Sequence, residues 1–509
     1  MAESLYRLCA DSAARRPDGV AVEFPDGSLT YGELLRAAEA LAERVRDAYG
    51  TVSRVGLFAA RGPSAYAGYL AALRLGAAVV PLHPGFPAAR TRRMCEQAAP
   101  DVVLADAEAW ERGDGSWAEG VPVLALSGAE VRSAVPTGSL GPYRPDPDRT
   151  AYLLFTSGTT GRPKGIPIRH RQALAFLRQA AARYEVGPGC RMSHTFDLTF
   201  DLSVFDLFVT WGGGATLVEP APAESFSPVD YVTGRRLTHW FSVPSAVSVG
   251  AGLGQLPAGR ATGLRYSVFC GEQLTYEQVA AWRALAPGSV VDNLYGPTEL
   301  TVACSAYRLP RDPADWPRTS NGTVPIGRIH DSLDHLVDPE SGELCVRGPQ
   351  RFDGYLDPAD DADRFRAAPA QDGPFAGAGR YYRTGDRVRY EDGRLVHLGR
   401  LDDQVKIRGF RVELGEVEAA LRRLPQVAHC VVVDVAAAGH DGVRELAACY
   451  TGDPVPRRDL LNSLRGTLPI HLVPRRFLHR DTLPLNANGK VDRNALRLLA
   501  GEAVDAARP

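Results

Sequence analysis

Lysine is almost missing from this chain: of 58 Lys and Arg residues, only Lys164, Lys406 and Lys490 are lysines. Where nearly every cation is a planar guanidinium, a retained compact ammonium marks a position that needs a rotatable point charge. Net charge is also nearly absent, −2 with a pI near 6.6, which excludes a global field that draws in nucleic acid or an anionic membrane. The eight cysteines form no CxxC pair and no His/Cys cluster, which excludes a disulfide framework and a structural zinc and fits a reducing cytoplasm. No apolar run reaches the ~20 residues that span a bilayer; LAALRLGAAVVPL is interrupted by Arg74. The opening MAESLYRLCADSAARRPDG carries Glu3 and Asp11 and lacks the apolar core of a signal peptide. The expectation is a cytoplasmic protein without nucleic-acid or membrane partners.

What is present is a chain of 509 residues, too long for one hydrophobic core and therefore divided into two or more domains. Thr30 and Glu33 make a capping box ahead of YGELLRAAEALAERVRDAY, whose Leu34, Ala38, Leu41 and Val45 recur at helical spacing. Short apolar runs such as VGLFAA and AAVVPL alternate with Ala-rich helical stretches, the rhythm of sheets covered by helices, so the class is α/β. Ser139 to Arg149 reads as a surface connection into the strand AYLLF. Near the other end, VELGEVEAALRRL and RDLLNSLRGTL read as helices and VAHCVVVDV and ELAACYT as strands, a small α+β domain. The polar junction GRLDDQ separates it from a large multi-sheet core, giving domains 1–401 and 402–509 with a hinge at Asp402.

Each lysine lies close to glycine: FTSGTTGRPKG (Phe155 to Gly165), GRLDDQVKIRG (Gly399 to Gly409) and NGKVDR (Asn488 to Arg493). In the first, Thr156, Ser157, Gly158, Thr159 and Thr160 offer hydroxyl and backbone donors that wrap phosphate oxygens, and Lys164 adds a point charge. It is not a Walker loop, because Pro163 stands where that motif, counted from Gly158, needs its second glycine.

Together with DNLYGPTE (Asp292 to Glu299), YRTGD (Tyr382 to Asp386), GRLDDQVKIRGFRVELGEVE (Gly399 to Glu418) and LPLNANGKVDR (Leu483 to Arg493), that loop resembles the ordered motifs of adenylate-forming enzymes. Specifically, it looks like the amino-acid adenylation domains of nonribosomal peptide synthesis, and LTYGEL, the FDLS at Phe200 to Ser203 and GELCVRG agree. The likeness covers essentially the whole chain. Two departures, His83 in PLHP and His471–Leu472 in LPIHLVP, fall outside the residues given chemistry here.

The resemblance implies that a carboxylate attacks the α-phosphate of ATP, expelling pyrophosphate, with Lys490 bridging the reacting oxygens. It implies Glu299 for Mg²⁺, Gly271, Asn293, Tyr295 and Thr298 around adenosine, and Asp386 with Arg400 at the ribose. The small domain then turns about Asp402 and brings Lys406 to the site for transfer to a thiol. Asp201 matches the position that pairs a substrate α-ammonium. The side-chain pocket is assigned to Leu202, Phe205, Ser242 and Val268, with Cys270, Leu294, Val302 and Ala303 completing it. That wall holds no ionisable counter-charge apart from a thiol, which points to a small neutral side chain, L-alanine first, then glycine, serine or proline. Because no carrier or condensation segment adjoins the motifs, the expected acceptor is a separate acyl or peptidyl carrier protein. Its phosphopantetheine thiol, or an aminoacyl amine already on it, receives the product, in antibiotic-type biosynthesis. Arginines of the C-terminal domain are expected to dock the acidic carrier. An acyl- or aryl-CoA ligase of the same fold and a non-catalytic nucleotide-binding partner protein remain as alternatives.

Overall fold

The structure is a computed structural model that describes residues 3–158, 162–368, 379–437, 442–485 and 491–505. Among the described residues, five sheets with helices against them make a mixed α/β fold. In the nine-stranded sheet, His239–Ser242, Tyr266–Phe269 and Val290–Tyr295 run parallel beside Arg191–Ser193. The six-stranded sheet runs parallel through Val123–Leu126, Val102–Asp106, Arg54–Phe58, Ala78–Leu82 and Thr150–Thr156, then turns back antiparallel through Lys164–Arg169. That last reversal carries the glycine loop between its two strands.

The helix Tyr31–Tyr49 begins at the Thr30–Glu33 capping box and buries Leu34, Ala38, Leu41 and Val45, as its spacing requires. Its length presents another buried residue to the connection beyond. Glu43 accepts from the Thr137 amide (2.6 Å), the Thr137 hydroxyl (3.0 Å) and the Ser139 amide (2.8 Å). Burial alone would raise this carboxyl, but those donors hold it below its ordinary value.

Tyr381–Glu391 and Arg394–Arg400 form an antiparallel pair in the five-stranded sheet and lead directly into a hairpin, Gln404–Ile407 with Phe410–Glu413. The residues Val-Glu that open VELGEVEAALRRL therefore belong to a strand, and the helix runs Leu414–Leu421. Beyond it, Val427–Ala436, Arg444–Gly452 and Arg476–His479 make a three-stranded sheet. A hydrophobic cluster drawn from residues 405–477 packs on this sheet, and a second one reaches Leu496 and Ala500. Among the described residues no helix is long and apolar enough to cross a membrane.

Replacing Glu43 by alanine removes a buried charged acceptor of three hydrogen bonds and is expected to lower unfolding stability by about 1–3 kcal/mol. Because the folded carboxyl is depressed, its contribution is complete above the ordinary glutamate range and fades as the pH falls through the folded value. Urea unfolding of Glu43→Ala at neutral and acidic pH checks this; equal midpoints for both proteins at neutral pH contradict it.

Candidate functional site

The loops that follow the parallel strands ending at Ser193, Phe269 and Tyr295 gather at one edge of the nine-stranded sheet, the crevice position where open α/β sheets bind ligands. Two adjoining cavities open there. One, of about 110 Å³, is lined by Thr156, Ser157, Asp201, Leu202, Cys270 and Thr298, among others. The second, of about 450 Å³, is lined by Asn293, Leu294, Tyr295, His397 and Asp402. Gly271, Asp386, Arg400 and Lys406 border both.

At the junction, Asp386 is 2% exposed and fully engaged. Tyr295 donates its hydroxyl to Oδ2 at 2.6 Å, while Arg400 (3.1 Å) and His397 (3.1 Å) reach Oδ1. Burial would raise this carboxyl; Arg400, His397 and Lys406 around it hold it far below the ordinary range. Arg400 continues the chain by grasping Asp402 through Nε (2.9 Å) and Nη2 (2.7 Å). Asn293 donates to the Val324 and Pro325 carbonyls and leaves its own Oδ1 without a partner. Gly271 has φ +93°, a left-handed backbone that suits glycine.

At the other end, Glu299 is 0% exposed. It accepts from the Tyr355 hydroxyl at 2.6 Å and from Arg411 Nη1 at 2.9 and 3.0 Å. Burial works to raise its carboxyl, but Arg411 and Tyr355 outweigh burial and lower it. No group of three or more His, Cys, Asp and Glu side chains is gathered as a metal cage among the described residues. A buried single carboxylate nevertheless suits Mg²⁺, which completes its shell from phosphate oxygens and water. Ser157 donates to the Arg411 carbonyl at 2.6 Å and accepts from the Glu413 amide at 3.2 Å. Lys164 pairs with Asp360 at 3.1 Å and lies over the Tyr355 ring. Gly158 is buried beside this corner, whereas Thr159, Thr160 and Lys490 lie outside the described residues.

Between these ends, Asp201 is buried at the head of the helix Leu202–Gly213. Burial pushes its carboxyl up to about 6 against the Thr298 hydroxyl, which stabilises the charged form. Leu202, Phe205, Val268, Cys270, Leu294, Val302 and Ala303 all belong to one buried cluster. Ser242 does not. Strand side chains alternate: Phe241 pairs in register with Val268 and faces the cluster, while Ser242 pairs with Phe269 on the opposite face. There Ser242 accepts from the Trp240 indole at 2.8 Å. Phe241 faces that cluster instead, its ring 4.5 Å from that of Phe205. In HWFS, buried on both faces, periodicity alone could not decide between them.

The hairpin carrying Lys406 is docked over the site. Lys406 Nζ stands 5.9 Å from the centre of the Tyr295 ring. Gly409 donates its amide to Glu272 at 2.8 Å, and Arg90 pairs with Glu416 at 2.6 Å in a buried contact. His471, set aside as a departure, in fact borders the smaller cavity and stacks on Phe410 at 3.7 Å. Burial, with Arg90 and His83 nearby, pushes its imidazole down to about 3. Arg411, Phe241 and His397 are the site groups that motif reading missed; Arg411 was inside a quoted string but overshadowed by Lys406.

A family model described as AMP-binding enzyme matches residues 9–356. The chain belongs to the AMP-binding enzyme family. This AMP-binding enzyme is 37% identical over 513 residues to phosphinothricin tripeptide synthetase PhsC of Streptomyces viridochromogenes, covering 97% of this chain and 45% of that one. The chain thus spans less than half the length of that synthetase. It is 34% identical over 507 residues to the L-proline–(L-prolyl-carrier protein) ligase of Pseudomonas fluorescens, covering 97% of this chain and 98% of the other. Its fold matches the Vibrio cholerae adenylation domain AlmE in complex with glycyl-adenosine-5'-phosphate, with a TM-score of 0.84 at 26% identity and 98% of each chain covered.

Gly409 has φ +82°, and a Cβ there would collide with the Val243 side chain. Gly409→Ala is therefore expected to undock the hairpin of this AMP-binding enzyme and to speed tryptic cleavage at Lys406, Arg408 or Arg411 several-fold. Unchanged cleavage would mean that the hairpin does not depend on this close approach.

Proposed function

We propose that this AMP-binding enzyme uses ATP to activate a small neutral α-amino acid, L-alanine first, as aminoacyl-AMP. It then passes the aminoacyl group to a separate carrier protein, on a phosphopantetheine thiol or an amine already held there, in natural-product biosynthesis. The observation that carries this reading is Asp201, a buried carboxylate on the same cavity as Asp386. A carboxylate so desolvated is stabilised by a cation, and an α-ammonium supplies one. Phe205 and Phe241 close the cluster beyond it, which leaves little depth for a side chain. The relatives support it: one is named for L-proline and a carrier protein, and a solved structure holds a glycyl adenylate.

In the first step an oxygen of the substrate carboxylate bonds to the α-phosphorus, and the bond to the β-phosphate oxygen breaks with its electron pair on pyrophosphate. The protein's part is positioning and charge. Tyr295 and Asn293 flank the adenine, Asp386 and Arg400 hold the ribose, and Thr156, Ser157 and Lys164 receive the leaving phosphates. We assign the bridging ammonium to Lys490. Mg²⁺, when bound, supplies charge neutralisation to the phosphates, and Glu299 is the residue that would hold it. In the second step the acceptor attacks the acyl carbon and AMP departs. We assign residues 402–509 as the mobile domain, turning at Asp402, with the docked Lys406 hairpin as its transfer position.

Since only the ionised Asp201 pairs with an ammonium, the apparent KM for the amino acid is expected to rise about ten-fold per pH unit below about 6. Asp201→Asn should abolish amino-acid activation, and Phe241→Ala should shift preference toward larger side chains by about 10- to 200-fold. Mass spectrometry of a phosphopantetheinylated carrier incubated with enzyme, ATP and alanine reads the whole reaction. Acyl-CoA formation from a non-amino acid that survives Asp201→Ala would overturn the proposal in favour of a CoA ligase.

A further inference from the structure

The docked hairpin spends two of the groups that a polyphosphate and its metal need. Ser157, in the glycine loop, is held from both sides by the strand Phe410–Glu413: it donates to the Arg411 carbonyl (2.6 Å) and accepts from the Glu413 amide (3.2 Å). Glu299 is held by Arg411 Nη1, which touches both carboxylate oxygens, at 2.9 and 3.0 Å. Arg411 is itself fixed, donating Nε to Gln404 Oε1 at 2.8 Å. Lys164 is turned aside onto Asp360 at 3.1 Å.

We propose that Arg411 is a built-in cation for Glu299, so that the docked hairpin and metal-bound pyrophosphate are mutually exclusive occupants of the Ser157–Glu299 corner. This rests on the reading of that corner as the site of polyphosphate and Mg²⁺. A carboxylate buried as completely as Glu299 needs a positive neighbour in every state of the enzyme. The divalent ion provides it while the nucleotide phosphates are present; once they leave together, Arg411 arrives with the hairpin and takes over. The Ser157 hydroxyl changes partners at the same moment, from phosphate oxygen to the Arg411 carbonyl. Docking of Lys406 over the site therefore waits for pyrophosphate to leave, and a docked hairpin shuts pyrophosphate out and protects the adenylate from reversal. Arg411 acts here as a positioning residue, setting the order of the two half-reactions.

The test uses the full chain with Mg²⁺ and methylenediphosphonate, an uncleavable pyrophosphate analogue, and has two readouts independent of turnover. Calorimetry measures the affinity, and hydrogen exchange follows the amides of residues 404–413. The wild type must expel the hairpin to bind, so exchange in 404–413 is expected to rise as the analogue saturates. Arg411→Ala, which removes the competitor, is expected to bind at least ten-fold tighter, and Arg411→Lys, which keeps the charge, to return toward wild type. Equal affinity in wild type and Arg411→Ala, with no change in hairpin exchange while the analogue is bound, overturns the proposal and leaves the phosphate site standing. No binding to either protein overturns the reading of the corner as a polyphosphate site, and the proposal with it.

Discussion

Buried carboxylates, and the cations each must have, organise the working edge of this molecule. Asp201, Glu299 and Asp386 are 9%, 0% and 2% exposed, and burial pushes every one of them toward the neutral form. What differs is the compensation. Asp386 is overdetermined by Arg400, His397 and Tyr295 and stays ionised. Glu299 is held ionised by the Arg411 guanidinium and the phenols of Tyr355 and Tyr382. Asp201 has a hydroxyl and a backbone amide as its nearest donors and is left poised near 6. A gradient from satisfied to hungry carboxylate is what separates a permanent scaffold from a site that a ligand completes.

The same ion pairs tie chemistry to motion. Tyr295, Asp386, Arg400 and Asp402 form one continuous chain of hydrogen bonds from the wall of the larger cavity to the proposed hinge. Across the docked face, Glu272 takes the Gly409 amide, Glu416 takes Arg90, and Phe410 meets the Phe200 ring edge to face. Each of these contacts is discrete, made or broken as a unit, which is the property a two-position segment needs.

Much of this was legible in the residues. The capping box at Thr30 and Glu33, the strand leading into the glycine loop and the strands in VAHCVVVDV and ELAACYT follow from local pattern alone. The fold brings the motif residues Asp201, Tyr295, Asp386 and Lys406 around two adjoining cavities, with Glu299 buried behind Arg411, a gathering no motif by itself describes. Failures occurred where the signal is degenerate. HWFS is buried at every position, so its pattern does not tell which of Phe241 and Ser242 faces the cluster. In GFRVELGEVE the strand Phe410–Glu413 passes straight into a helix, and no turn residue marks the change. Arg411 and His471 owe their positions to contacts with residues more than 100 and nearly 400 places away, Glu299 and Phe86, and no window of sequence contains such a pair.

The central claim is that this site activates an amino acid, and the direct measurement is amino-acid-dependent exchange of pyrophosphate into ATP. The panel should hold the standard amino acids, β-amino acids and simple aryl acids, with Lys490→Ala as the blank. Strong exchange with alanine or another small neutral amino acid is the predicted result. Exchange confined to acids without an α-amino group would contradict the role given to Asp201 and, with it, the account of the pocket.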